Sequence, residues 1–151
     1  MNKPTIGFAG LTHLGLISAV ASAAKGFSTI AFAPDRERVT AIAAGNLPIL
    51  EPDLPELFAE HRTRLSFTDD AKQLSACDVV YIALDVLTDD QGQSDLNGVR
   101  EMIERVLAVL NPQALLVVLC QVPPGFTRSL PLPANRLFYQ VETLVFGQAM
   151  Q

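Results

Sequence analysis

Short apolar runs alternate along the chain with segments whose apolar positions recur at helical spacing. Residues 5–9 form a compact, partly β-branched run that leads straight into Gly10 and predicts a first strand. From His13 to Lys25, Leu14, Ile17, Ala21 and Ala24 fall at helical spacing, and Gly26 supplies the stop. Residues 29–33 predict a second strand. Asp35 is placed to cap a helix that runs to Ala44 and ends at Gly45. A proline-punctuated loop, 47–52, leads to a short helix over 54–61. Residues 65–68 alternate as a third strand, after which Asp69 or Asp70 caps a short helix to Ser75. Residues 78–84 are almost continuously apolar, as a strand covered on both faces requires. The loop 85–95 is polar and acidic. Residues 96–110 place Val99, Ile103, Val106 and Leu110 on one helical face, and Asn111-Pro112 stops them. Residues 114–119 predict a fifth strand. After a proline-rich stretch, 136–140 predict a sixth strand and 142–150 a closing helix.

Strands separated by helices imply βαβ units, a parallel sheet and, with right-handed crossovers, a doubly wound α/β layer. The 151 residues suit one domain, and 49% hydrophobic against 18% charged side chains are enough to build a core. A net charge of −5 argues against nucleic acid and anionic membrane as partners. Cys77 and Cys120 lie at or beside apolar runs without metal-ligand spacing, and they read as reduced core thiols. No charged segment precedes an apolar leader, and no apolar run approaches a membrane span, so a cytoplasmic protein is expected.

The first strand-to-helix turn reads Gly10-Leu11-Thr12-His13-Leu14-Gly15. A strand before it and a helix after it match the dinucleotide fingerprint of a Rossmann-type fold, with a mostly parallel sheet of about six strands. In that fingerprint the first glycine makes the tight turn, the second admits the pyrophosphate, and the third lets helix and strand pack closely. Gly10 and Gly15 hold the first and third places, whereas Thr12 stands in the second. The helix N-terminus still offers N–H groups to an anion. The acid that would hold the ribose belongs at Ala33, followed by Pro34, and neither accepts a ribose hydrogen bond. Asp35 and Arg36 follow. Arg36 and Arg38 leave NADP open as an alternative to NAD, but a solvated helix face is the plainer reading of both.

The order of motifs resembles the N-terminal, NAD-binding domain of the UDP-glucose/GDP-mannose dehydrogenase family over nearly the whole chain. Residues 44–54, Ala-Gly-Asn-Leu-Pro-Ile-Leu-Glu-Pro-Asp-Leu, are similar to the family string N-A-G-x-x-P-I-x-E-P-x-L. Residues 65–69 and 78–83 resemble its third and fourth strands. Asp90, Gly92, Ser94, Asp95 and Leu96 resemble the loop that opens the next helix, and residues 122–127 resemble its V-P-P-G-T-T turn. The resemblance implies a nucleotide-sugar dehydrogenase that oxidises a C6 alcohol to a carboxylate in two steps with two NAD. It also brings Leu84 and Gln121 to the cofactor and aligns Glu142 with the family's acid/base glutamate. Several positions depart from the pattern. The V-G-T-P turn after the fourth strand reads Leu84-Asp85-Val86-Leu87, Gln121 replaces a threonine, and Pro131 and Pro133 leave no room for a family helix. The family's central and C-terminal domains, with their nucleophilic cysteine and its Lys and Asn partners, are absent from these residues.

Two functions are therefore expected as alternatives. One is an NAD-binding domain with weak or lost cofactor binding, inactive alone. The other is a non-catalytic interaction module that keeps the fold. Glu142 reads more simply as an acid favoured at a helix N-terminus. His13 reads as solvent-facing, and His61 as a cation at a helix end. Asp85, Asp89, Asp90 and Asp95 lack the spacing of a calcium loop and read as a solvated loop, with no metal. The apolar residues Leu137, Phe138, Tyr139, Val141, Leu144, Val145 and Phe146 predict a homodimer or protein partner on the sixth-strand side.

Overall fold

A computed structural model describes residues 3–150. Six parallel strands are β1 (Ile6–Ala9), β2 (Thr29–Phe32), β3 (Leu65–Thr68), β4 (Val79–Ile82), β5 (Leu115–Val118) and β6 (Leu137–Tyr139). They lie in the order β3-β2-β1-β4-β5-β6, so β1 is central; the sheet is parallel and six-stranded, and β1 leads into Gly10, as the sequence predicts. The register is even: Ile6 faces Thr29 on one side and Val79 on the other. Four helices connect the strands: α1 (His13–Ala24), α2 (Arg36–Ala43), α3 (Leu54–Glu60) and α4 (Asn97–Leu107).

The β1–β2–β3 crossovers run one way from the centre and the β4–β5–β6 crossovers run the other. Right-handed connections then place the two sets on opposite faces of the sheet. α1 packs on β1, β2 and α3, while α4 packs on β4 and the 3-10 turn Ala71–Ala76. The sheet core between these layers is closed, with Phe8, Ala9, Ala31, Val80, Ile82, Leu116 and Val118 buried. Val99, Ile103 and Val106 are the buried face of α4, as their spacing predicts. Leu110 is excluded, because the helix ends at Leu107.

Caps fall largely where the sequence puts them. Asp35 accepts from the Arg38 N–H at 3.1 Å, and Asp70, rather than Asp69, accepts from the Lys72 N–H at 3.0 Å. The closing helix does not form. Residues 140–145 carry no regular structure and 146–150 are turns. Val141, Thr143 and Val145 are β-branched, which disfavours a helix, and Gly147 takes a positive φ of 80° that ends one. Folding back as a turn also lets this segment supply N–H groups to Glu51, a buried carboxylate whose other partner is the His13 ring.

Candidate functional site

The crevice opens where the strand order reverses, outside the C-terminal ends of β1 and β4. Two loops meet there. Gly10 has φ 127°, and a Cβ on it would lie 2.3 Å from the Ala83 carbonyl oxygen, so only glycine lets the loops come this close. A Cβ on Gly15 would lie 1.9 Å from the Gly10 carbonyl oxygen. Gly10 thus makes the tight turn, at φ 127°, and Gly15 the close packing of helix on strand that the fingerprint assigns to them. Thr12 has φ −79° in extended backbone, so its cost to a ligand is not backbone strain.

The loop after β4 reaches the first turn of α1. Asp85 accepts from the His13 N–H at 3.0 Å and from the Leu14 N–H at 3.3 Å. In return the Asp85 N–H donates to Thr12 Oγ1 at 3.0 Å. Nothing in the sequence reading assigned Asp85 this part. The one signal was its place in the altered V-G-T-P turn.

One cavity lies on the α2/α4 side of this bridge. It is lined by Gly10, Leu11, Thr12, Ala33, Pro34, Asp35, Arg38, Leu84, Gly98, Glu101, Met102 and Arg105. Arg38 is fixed by an Nε bond to the Leu11 carbonyl at 3.0 Å. Arg36 is absent from the lining: its side chain is 86% exposed and sits 3.8 Å from Asp69. The helix-face reading therefore holds for Arg36, whereas Arg38, named with it in the sequence, lines the cleft, and so does Arg105, to which nothing in the sequence points.

A second cavity lies on the other side, lined by His13, Leu14, Leu84, Asp85, Val86, Gln121, Glu142, Leu144 and Phe146. Gln121 and Glu142 both line it. Glu142 caps no helix; its Oε1 accepts from the Leu144 N–H at 2.7 Å. His13 is not solvent-facing. Its ring is 12% exposed, lies 4.2 Å from the Phe146 ring centroid, and meets Glu51 Oε2 at 3.3 Å. The sequence alone does not show that the C-terminal segment returns over the glycine loop, and that return is what covers the ring.

Glu51 is the buried charge of the region. It also accepts from the Gly147 N–H at 3.1 Å and the Ala149 N–H at 2.8 Å. The Ala149 N–H leads in holding its carboxyl below the ordinary value, against desolvation; Gly147 and His13 add to the lowering. The acidic loop is self-bonded: Asp89 accepts from the N–H groups of Gln91 and Gln93, and Asp95 from that of Asn97. Among the described residues no group of three or more His, Cys, Asp or Glu side chains comes together as a metal site.

Residues 4–139 match the model of the UDP-glucose/GDP-mannose dehydrogenase family, NAD binding domain. The chain is 33% identical over 120 residues to a UDP-glucose 6-dehydrogenase of Rhizobium meliloti, covering 77% of this chain and 28% of that protein. It is 32% identical over 119 residues to a UDP-glucose 6-dehydrogenase of Pseudomonas aeruginosa, covering 77% and 26%. The structure of a UDP-glucose dehydrogenase from Pyrobaculum islandicum superposes with a TM-score of 0.84 at 27% identity, over 99% of this chain and 38% of that one. A GDP-mannose dehydrogenase from Pseudomonas aeruginosa shares the fold, with a TM-score of 0.86 at 23% identity, over 98% of this chain and 38% of that one. The chain thus spans under a third of the curated relatives' length.

Proposed function

The chain belongs to the UDP-glucose/GDP-mannose dehydrogenase family, in its NAD-binding domain, and from that premise we propose that it carries a nucleotide cleft whose hold on NAD is weakened. The observation behind this reading is the end of β2. Ala33, 5% exposed, and Pro34 line the cavity with no side-chain acceptor for a ribose hydroxyl. The neighbouring carboxylate, Asp35, gives its Oδ1 to the α2 cap, and Glu101 lines the cavity from α4 and not from the end of β2. A site built to hydrogen-bond a hydroxyl discriminates strongly through that bond, and its loss removes both affinity and orientation.

Oxidation of a nucleotide sugar belongs, on this reading, to machinery beyond these residues. Cys77 and Cys120 are buried in the core and face no cavity wall described above, so neither is the family's nucleophile. NAD stands before NADP on the family reading, and Arg36, which points away from the cleft, offers a 2′-phosphate nothing. A cytoplasmic setting fits two free thiols. Among the described residues no helix is long and apolar enough to cross a membrane.

Calorimetric titration with NAD tests the reading. The expected result is no micromolar complex for the wild type, and binding at least tenfold tighter for the double variant Thr12→Gly, Ala33→Asp, which is a gain of about 1.4 kcal/mol. A micromolar complex of the wild-type chain would refute it.

A second reading, an interaction module that keeps the fold without the cofactor, is favoured by one feature. Phe138, Tyr139, Val141, Val145 and Phe146 are all exposed at and beyond β6. Exposed large apolar side chains in such number are a feature of contact surfaces.

A further inference from the structure

The four N–H groups that begin a helix have no partner within it, and they are where a dinucleotide fold receives its diphosphate. In α1 the cap residue Thr12 gives its own helix no side-chain bond. The partner comes from across the cleft instead. Asp85 takes the His13 and Leu14 N–H groups on its two carboxylate oxygens, and Thr12 Oγ1 takes the Asp85 N–H. We infer that Asp85 occupies, as a built-in anion, the place at the first turn of α1 that the cofactor's diphosphate would fill, and so determines which nucleotides this cleft admits. The inference rests on the family reading of the cleft and deepens it, because it names a residue that does the excluding.

Three physical points support it. First, the carboxylate is tethered by the β4 loop, so it competes at an effective concentration on the order of millimolar or above. A free anion must displace it. Second, a diphosphate brought to the same N–H groups would meet a like charge within contact distance, which is repulsive at any dielectric the cleft offers. Third, the bridge stands between the two cavities, of ≈ 280 Å³ and ≈ 230 Å³, and Leu84 lines both. Each is smaller than the roughly 300–1,000 Å³ of ordinary small-molecule sites. A dinucleotide needs both cavities and the N–H groups between them, whereas a ligand without a diphosphate needs one cavity alone.

Asp85 is exposed and held by these three bonds rather than by the core, so it can be replaced without opening a cavity. Wild type, Asp85→Gly and Asp85→Asn are titrated with inorganic pyrophosphate and with ADP-ribose while the amide resonances of His13 and Leu14 are followed. In the wild type those amides are expected not to move with pyrophosphate. In Asp85→Gly they shift, and ADP-ribose binds at least tenfold tighter than to the wild type. Asp85→Asn keeps one acceptor oxygen and loses the charge, so it gives a smaller gain, and it carries the comparison if the glycine variant does not fold.

A folded variant that gains no affinity, or wild-type amides that shift with pyrophosphate, would overturn the inference, since Asp85 would then be a helix cap and nothing more. A micromolar NAD complex of the wild type would sink the weakened-cofactor reading. It would sink the inference as well, whether or not the two amides move, because a dinucleotide would have been admitted past Asp85. A folded Asp85→Gly variant that gains no affinity, with NAD still weak, sinks the inference alone.

Discussion

Burial pushes the Cys77 thiol up to about 12, with the neighbouring Asp78 charge adding, and pushes the Cys120 thiol up to about 11. The reactive form is the thiolate, so at pH 8 both are closed chemically as well as sterically. Iodoacetamide is expected to label neither cysteine in the native chain and both in denaturant. Labelling of either one under native conditions would contradict the core assignment. Glu51 works in the opposite direction. A carboxyl held below its ordinary value binds a proton less readily in the folded chain than in the unfolded one. Its bonds therefore stabilise the fold fully above the ordinary glutamate value of about 4.3, and that contribution is lost as the pH falls through the lowered value. The Gly147 and Ala149 amide resonances should titrate together in that acid range and become pH-independent there in Glu51→Gln. A midpoint at or above the ordinary value would show that the two N–H groups do not hold the charge.

At the scale of elements, the strands were legible because a parallel sheet covered on both faces leaves a plain signature. The run over 78–84 and that over 114–119 contain β4 and β5 and little else. Caps were legible for a local reason: Asp35 and Asp70 bond N–H groups two or three residues on. What could not be read was anything decided across long sequence separation. The Asp85 bridge to α1 spans 72 residues, and the Glu51 bonds to the C-terminal segment span 96 and 98. The closing helix expected over 142–150 is replaced by the turn that makes those distant bonds. The glycine loop lies between these cases, because its spacing announced a close approach and the structure gives its size. Gly15→Ala would drive a Cβ into the Gly10 carbonyl, which is backbone and cannot swing aside. Overpacking of this kind costs about 1–3 kcal/mol or more. Gly98→Ala, in α4, meets nothing within 4 Å and should gain about 0.5–1 kcal/mol from lower unfolded entropy. Urea denaturation of the two variants checks the opposite signs. A Gly15→Ala chain as stable as the wild type would mean that α1 is free to shift away from β1.

For the whole molecule, the sheet is least covered at its β6 edge, where only a short 3-10 turn, Thr127–Ser129, joins β5 to β6. β6 pairs with β5 alone and has only three residues. Phe138 is 46% exposed, Val141 67%, Val145 58% and Phe146 79%. The return of the C-terminal segment does not remedy this. It seats one face of the Phe146 ring against His13 and leaves most of the side chain in solvent. Burying a large apolar side chain from water is worth about 1.5–3 kcal/mol, so several on one side are a substantial driving force for association. The expected outcome is that this side is covered by a second copy or by a protein partner, with Phe138, Val145 and Phe146 near the centre of contact. Light scattering at micromolar concentration distinguishes the first case: the wild type should exceed the monomer mass, and Phe146→Asp should return it to monomer with an unchanged circular dichroism spectrum. The charge is introduced at an exposed position, so loss of association would not be loss of fold. A wild type that is strictly monomeric, and whose Phe146→Asp variant is no more soluble and no less stable, would show that the exposed residues are surface and not an interface of either kind.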